Sequence, residues 1–276
     1  SFGRVQFTPD LLPADITGSD VFNSEQVKGN EGRFTFVKGP IFVNLLLCDE
    51  INRASPRTQS STLEAMQERS VTAGGKVYKL PDPFMVFATK NPYEYEGTFP
   101  LPEAQLDRFL LQTEVCYPNK EDEFSILEKH AKNVLVGEQR NELFANKVLD
   151  YNTIVQMLNQ VTQVSIPQEL IGIINEVIRL SRPDDDSCPD AIKSQLIYGA
   201  GPRAGISLIS TAKSLAFIEG CDTVRWSHIK RMLLPVMRHR LKVAPNFSQS
   251  SLNSDSIVLK IIEIIEKKYT SMTKGS

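Results

Sequence analysis

Two adjacent carboxylates, Asp49 and Glu50, follow an apolar run in the stretch "NLLLCDEINR". The run begins at Ile41 and is interrupted by Asn44, which predicts a strand that is buried on both faces and ends at the carboxylates. Open α/β sheets bind their ligands at the carboxyl ends of the strands. An Asp in that place can help to hold Mg²⁺ on nucleotide phosphates while the next carboxylate polarises a water, which suits nucleotide hydrolysis. The alternative interpretation is a pair of solvated carboxylates.

Two further polar residues stand where a nucleotide would need them. Asn91 ends the apolar run "PFMVFATKNP", and an amide there can hydrogen-bond a water and a terminal phosphate together. Arg203, in "GAGPRAG", falls at the start of a predicted helix, where its charge adds to the positive end of the helix dipole. A turn Asn before proline and a solvated Arg near a helix cap are the competing interpretations.

Arg108 lies in "FPLPEAQLDRFLL", just ahead of another apolar run. It could pair with Asp107 or Glu103 within its own chain. It could instead reach a phosphate that is bound by a neighbouring subunit.

The first half of the chain alternates strand and helix signals, which predicts a parallel sheet with its active edge at the strand ends. Besides the run from Ile41, strands are predicted at "RVQFTPD", "PFMVFATKNP" and "FLLQTEVCYP". Helices are predicted to start with Thr8 as the cap and Pro9 at the first helical position, and again with Ser55 as the cap. Hairpins are predicted at "EGRFTFVKGPIF" and at "SVTAGGKVYKL".

From about Lys120 onward, the strand signals stop and helical patterns follow to the end of the chain. They are "EDEFSILEKHAKNVL", "YNTIVQMLNQV", "QELIGIINEVIRLS", "GPRAGISLISTAKSLAFIEG", "WSHIKRMLLPVMRHRLK" and "SIVLKIIEIIEKKYT". A second, helical domain is therefore expected.

The composition is that of an ordinary globular protein, with 276 residues and a formal net charge of −2. No apolar stretch approaches the ~20 residues that cross a bilayer, and the first residues do not resemble a signal peptide, so we expect a cytoplasmic protein without a membrane span. The four cysteines show no metal-ligand spacing, and Cys48 is expected to be a small buried hydrophobe. Nucleic acid is not an expected partner, because the apolar residues between the basic residues of "HIKRMLLPVMRHRLK" indicate a packed helix whose charges are solvated.

Taken together, "NLLLCDEINR", "FATKNPYEYEGTFPLPEAQLDRF" and "GPRAGISL", in this order and spacing, resemble the MoxR family of AAA+ ATPases over essentially the whole chain. The resemblance implies an AAA+ parallel-sheet core at residues 1–135 that lacks its N-terminal part, followed by an all-α lid domain at residues 136–276. It also implies that residues 17–39 are the helix-2 insert of this clade and that Val71 to Tyr78 form its pre-sensor hairpin.

The resemblance assigns a role to each candidate residue. Asp49 and Glu50 match the Walker B pair, Asn91 the first sensor, Arg108 the arginine finger and Arg203 the second sensor. The implied cofactors are ATP and Mg²⁺, with Asp49 directed at the metal.

No G-x-x-x-x-G-K-[ST] loop occurs in this sequence. In the family that loop precedes the strand that matches "RVQFTPD", so we expect the sequence to start after it. The alternative is a protein that never had the loop, which would then be a non-hydrolytic scaffold.

The function implied is that of an ATP-hydrolysing, ring-forming ATPase, expected as a hexamer, that acts as a chaperone or remodeller in the maturation or activation of partner proteins. Partners with a von Willebrand factor A domain are implied by the family. The other alternative, a DNA-remodelling motor of the same clade, would use the basic helix as its contact.

Overall fold

The computed structural model describes residues 1–22, 34–91, 97–131, 149–245 and 253–269. The chain divides into two compact units, Ser1–Phe109 and Leu110–Ser276. The boundary predicted at residues 135 and 136 lies outside the described residues, as does the middle of the predicted insert.

The first unit combines short strands with three helices among the residues described. In chain order its elements are β1 (Phe2–Gln6), α1 (Pro13–Thr17), β2 (Gly18–Phe22), β3 (Phe34–Lys38), β4 (Leu45–Asp49), a 3₁₀ turn (Ile51–Arg53), α2 (Pro56–Glu68), β5 (Ser70–Ala73), β6 (Lys76–Lys79), β7 (Met85–Ala88) and α3 (Glu103–Leu106).

The predicted parallel sheet is formed by β1, β4 and β7, with β4 in the centre. Helix α2 connects β4 to β7, and its start is as predicted: Pro56 is its first residue and the Ser55 hydroxyl accepts the Thr58 N–H at 3.4 Å. The hairpin predicted at "SVTAGGKVYKL" is confirmed as the antiparallel pair of β5 with β6. The stretch "EGRFTFVKGPIF" supplies only β3, whose antiparallel partner β2 lies outside the predicted hairpin, at Gly18–Phe22. Helix α1 begins at Pro13 and not at Pro9, because residues 8–11 close a turn first, with Leu11 N–H donating to Thr8 O at 3.2 Å.

The central strand differs from its prediction in two ways. It begins at Leu45 and not at Ile41, because a tight turn precedes it in which Val43 N–H donates to Ile41 O at 2.8 Å. It is also buried on one face only: Leu46 and Cys48 are fully buried, whereas Leu45 is 43% exposed. Side chains of a strand alternate between the two faces, so the buried face is the one that carries Leu46 and Cys48.

The second unit is mainly helical. Its described elements are α4 (Lys120–Ala131), α5 (Tyr151–Gln163), α6 (Gln168–Leu180), α7 (Asp190–Lys193), β8 (Leu196–Tyr198), α8 (Pro202–Ile218), α9 (Trp226–Met237), β9 (Lys242–Val243) and α10 (Ser254–Lys268). Its core is an apolar cluster whose members include Ile173, Leu208, Leu233, Ile257 and Ile261. Each of the six predicted helical segments contains a helix in its described residues, although the segment from Trp226 is helical only to Met237. The short antiparallel pair of β8 with β9 lies among them, although strand signals stop at about Lys120. In the described parts of the chain, no helix has the length and apolar character needed to span a membrane.

The strand predicted at "FLLQTEVCYP" is wrong, because residues 109–118 form no sheet pairing. The backbone of this segment is bonded to the end of α9 instead: Gln112 N–H donates to Pro235 O at 2.8 Å, and Arg240 Nη1 donates to Leu110 O at 3.2 Å. Val115 and Tyr117 are almost fully exposed. Apolar alternation alone therefore did not decide the structure of this segment.

The basic helix α9 is packed as predicted, with Leu233, Val236 and Met237 fully buried. The expectation that its charges are solvated is wrong for the two arginines that follow it. Arg240 is 5% exposed, and Arg238 is held by a two-bond pair with a carboxylate of α10.

Candidate functional site

The register of the parallel sheet brings four polar residues to one edge. Gln6 of β1 lies opposite Asp49, and Ala88 of β7 lies opposite Cys48, so the residue after β7, Thr89, reaches the same level. Backbone bonds continue past the strands on both sides: Phe7 N–H donates to Asp49 O at 2.8 Å and Thr89 N–H to Cys48 O at 2.9 Å. Asp49 and Glu50 are thus at the carboxyl edge, where the sequence placed them.

Asp49 has both carboxylate oxygens engaged. Oδ1 accepts the Thr89 hydroxyl at 2.6 Å, and Oδ2 accepts Arg4 Nη2 at 2.5 Å. The hydrogen bond from Thr89, and after it the one from Arg4, hold the pKa of Asp49 below its ordinary value. The side chain is 23% exposed, so a solvated cation can approach an ionised carboxylate.

Glu50 leaves the strand in a left-handed backbone conformation, with φ of 55° and ψ of 48°. A residue other than glycine seldom adopts this conformation, and such strain is concentrated at functional sites. The Glu50 N–H donates to Thr89 Oγ1 at 2.9 Å. Its carboxylate Oε2 accepts Gln6 Nε2 at 2.9 Å and is paired with Arg53 Nε at 3.1 Å. Glu50 is therefore fixed by neighbours on both adjacent strands and on the following turn.

Asn91 follows β7 by three residues and is half-buried. Its backbone oxygen accepts Asn52 Nδ2 at 3.4 Å. The turn that carries Asn52 is itself held by Gln59 of α2, whose side-chain amide donates to Ile51 O at 3.3 Å and to Phe99 O at 3.1 Å. The segments before and after the stretch 92–96 are thus anchored to the turn that follows the carboxylate pair.

Arg108 follows α3 in the first unit, where its backbone N–H donates to Gln105 O at 3.1 Å. Its Nε is buried and has no hydrogen-bond partner among the residues that the structure describes. A buried guanidinium donor without a partner is costly, and such groups are retained where they serve a function.

Arg203 lies in the second unit, as the second residue of α8, and it is exposed there. Pro202 is the first residue of the helix and Gly201 its cap, so Arg203 falls at the helix start, as the sequence predicts. Because the first N–H groups of a helix have no partner within it, Arg203 and this helix end together form a positive surface.

The structure therefore brings Asp49, Glu50 and the end of β7 together, and it places Arg108 and Arg203 on other elements. Arg4, Gln6 and Thr89 are not among the site residues that the sequence predicts. Arg4 and Gln6 alternate with buried residues on β1, which is a sign of one polar face. Their partners depend on the strand order, which no local signal gives.

The carboxylates of Asp49 and Glu50 fit a magnesium ion that binds together with nucleotide phosphates. Within the described ranges no three His, Cys, Asp or Glu side chains are grouped so that they could hold a metal by themselves. Mg²⁺ in nucleotide sites needs only one or two carboxylates, since phosphates and waters supply its other ligands. An ionised Asp49 beside Glu50 meets that requirement.

Comparison with known proteins agrees with this architecture. Residues 1–111 match the family model described as "ATPase family associated with various cellular activities", and residues 190–261 match the "AAA lid domain" model. The chain is 34% identical over 265 residues to chaperone MoxR1 of Mycobacterium tuberculosis, covering 96% of this chain and 67% of that protein. It is also 34% identical to YeaC of Bacillus subtilis, covering 96% of this chain and 77% of YeaC.

Among solved structures, a candidate ATPase from Cytophaga hutchinsonii superposes with a TM-score of 0.81 at 35% identity, covering 95% of this chain and 76% of that one. The fold, the two matched family models and the relatives agree with one another. This chain belongs to the MoxR family of AAA+ ATPases.

Proposed function

We propose that this protein hydrolyses ATP with Mg²⁺ in a ring of subunits, expected to be a hexamer, and uses the hydrolysis as a chaperone or remodeller to mature or activate partner proteins. The observation that carries the proposal is the Asp49–Glu50 pair, which is held at the carboxyl edge of the sheet by side chains from both neighbouring strands. Such an edge is where α/β sheets bind their ligands.

Each candidate site residue has a role in this proposal. Asp49 is the ionised group that orients the hydrated magnesium on the phosphates, and Glu50 accepts a proton from the attacking water. Asn91 hydrogen-bonds that water and the terminal phosphate. Arg203 binds the phosphates from the lid, and Arg108 stabilises the charge of the transition state in the site of the next subunit. The bound magnesium supplies neutralisation of the phosphate charge.

The family and the chemistry of the chain support the rest of the proposal. MoxR1 of Mycobacterium tuberculosis carries the name of a chaperone, which supports a protein client here. A partner with a von Willebrand factor A domain follows from the family resemblance. The four cysteines are all free, as expected in a reducing compartment, and this supports a cytoplasmic location.

A DNA-remodelling motor is less well supported, because the basic residues of α9 are engaged within the protein. Lys230 pairs with Glu266 at 2.7 Å and Arg238 pairs with Asp255 at 2.6 Å. Arg231 pairs with Glu219. Charges that are neutralised in this way release few counterions from a nucleic acid.

The proposal is tested by Asp49→Asn in the full-length protein. The amide keeps the shape but removes the charge directed at the metal, so the Mg²⁺ concentration for half-maximal ATP hydrolysis should rise by about 10- to 100-fold. Turnover is measured against Mg²⁺ concentration at saturating ATP, with Glu64→Gln, an exposed position on α2, as the control. A wild-type protein without ATP hydrolysis would support the scaffold alternative, and an unchanged Mg²⁺ dependence would remove Asp49 from the metal site.

Arg203→Ala tests the role of the lid. Loss of a hydrogen bond to a charged phosphate should weaken ATP binding by about 10-fold or more, since such bonds contribute about 1.5–3 kcal/mol. The protection from proteolysis that ATP confers should fall as well, because Arg203 and the carboxylate pair belong to different units. The control is Lys193→Ala, an exposed cation of the same unit. If affinity, turnover and protection all match the wild type, Arg203 is only a residue of the helix end.

A further inference from the structure

The Thr89 hydroxyl joins the two residues of the carboxylate pair. Its oxygen lies 2.6 Å from Asp49 Oδ1 and 2.9 Å from the Glu50 backbone nitrogen. The ionised carboxylate can only accept and the backbone N–H can only donate, so the single hydroxyl proton must point at Asp49. Both bonds therefore have a defined direction, and both depend on the same hydroxyl.

We propose that Thr89 is a positioning residue for ATP hydrolysis. Its hydroxyl holds the carboxylate of Asp49 and the backbone of Glu50 in a fixed position relative to each other. The inference rests on the proposed function of this site. It adds a residue that acts through Asp49 and Glu50 and not on the nucleotide.

The backbone of Thr89 is held by two hydrogen bonds. Thr89 N–H donates to Cys48 O at 2.9 Å, and Thr89 O accepts the Ile51 N–H at 3.0 Å. The residues before and after the pair are thus bonded to the same residue of the neighbouring strand. These two bonds fix the main chain at Thr89, and the bonds to Asp49 and to the Glu50 N–H hold the hydroxyl itself.

Glu50 has the greatest need of such support. Its left-handed backbone, with φ of 55°, persists only where the surrounding structure determines it. The N–H of Glu50 and the N–H of Ile51 both donate to Thr89, one to the hydroxyl and one to the carbonyl oxygen. Loss of the hydroxyl would leave the Glu50 N–H without this partner and would remove one of the two bonds from Thr89 that support the left-handed backbone.

Asp49 depends on the same hydroxyl. The other oxygen of its carboxylate is held by Arg4, which lies on the opposite neighbouring strand and whose side chain is 58% exposed. The two bonds together orient the plane of the carboxylate. The hydrogen bond from Thr89 is also the largest cause that lowers the pKa of Asp49.

The experiment compares Thr89→Val with Thr89→Ser in the full-length protein. Valine keeps the branched shape and removes the hydroxyl, whereas serine keeps the hydroxyl and removes a methyl group. Thr89→Val should lower kcat by about 10- to 100-fold, as losses of supporting residues around metal sites do. Its KM for ATP should stay within about 3-fold, because Thr89 contributes no uniform substrate binding. Thr89→Ser should stay within about 3-fold of the wild type in both constants.

A second measurement does not depend on activity. Amide hydrogen exchange of a peptide that contains Glu50 should be faster in Thr89→Val than in the wild type, and Thr89→Ser should keep the wild-type rate. The control is Thr72→Val, an exposed threonine on β5 of the same unit, which should change neither exchange at Glu50 nor turnover.

The outcomes separate the inference from the proposed function. If the wild-type protein does not hydrolyse ATP, the proposed function and the catalytic role of Thr89 both fail, whatever the exchange shows. If the wild type hydrolyses ATP and Thr89→Val retains kcat, the inference alone is overturned. It is also overturned if serine fails as badly as valine, because a retained hydroxyl would then not preserve turnover.

Discussion

Glu50→Gln is expected to lower ATP turnover of the full-length protein by about 10²- to 10⁴-fold, the contribution of a positioned general base. ATP binding should remain close to that of the wild type, because glutamine fills the same space and still accepts hydrogen bonds from Gln6 and Arg53. The variant should therefore bind ATP without hydrolysing it. Turnover and equilibrium binding are measured on the same preparations.

Glu64→Gln provides the matched control, since it makes the same chemical change at an exposed position on α2. Its turnover should be that of the wild type. Normal turnover in Glu50→Gln would show that another group activates the water. A parallel loss of binding and turnover would instead show that Glu50 acts mainly through the structure of the strand end.

Mixing two inactive variants should restore activity if Arg108 acts on the site of the next subunit. Arg108→Ala alone should lose about 10³- to 10⁵-fold in turnover, the range measured for an arginine that neutralises transferred phosphate. In a ring that contains both Arg108→Ala and Glu50→Gln subunits, some interfaces combine an intact Glu50 with an intact Arg108. With random assembly at equal amounts, about a quarter of the interfaces are whole, so activity should rise well above that of either variant.

The measurement is the ATPase rate against the mixing ratio, on full-length proteins whose subunits are shown to exchange. Arg57→Ala, an exposed arginine of α2, is the control and should be active alone. A straight line between the two pure variants would mean that Arg108 acts within its own chain or pairs with Asp107 or Glu103. The match of Arg108 to the arginine finger of the family is the reason to expect activity above that straight line.

The starts of α2 and α8 follow from the sequence because their signals are local. Ser55 and Pro56 specify the start of α2, and Gly201 and Pro202 specify the start of α8, through bonds and dihedral angles within a few residues. Gly74 and Gly75 specify the turn of the β5–β6 hairpin in the same way, and both have positive φ. Such positions need no knowledge of the remaining chain.

Apolar runs were less informative, because they do not specify their neighbours. The run from Ile41 predicted a strand that is buried on both faces, yet Leu45 is largely exposed. The run "FLLQTEVCYP" looked equally like a strand, but Gln112 and Leu110 are bonded to the end of α9 and the following arginines. Strand formation depends on a partner strand, and the identity of that partner is a long-range property.

The sequence by itself determined where Asp49, Glu50 and Asn91 stand, since residues that follow buried parallel strands must meet at one edge of the sheet. Only the tertiary structure decided what holds the two carboxylates. The order β1–β4–β7 sets Gln6 on one side of them and Thr89 on the other, and the left-handed turn at Glu50 directs its carboxylate to Gln6 and Arg53. The physical reason is that strand order and register arise from pairing between distant segments, whereas the position of a residue at a strand end is predicted by the residues next to it in the sequence.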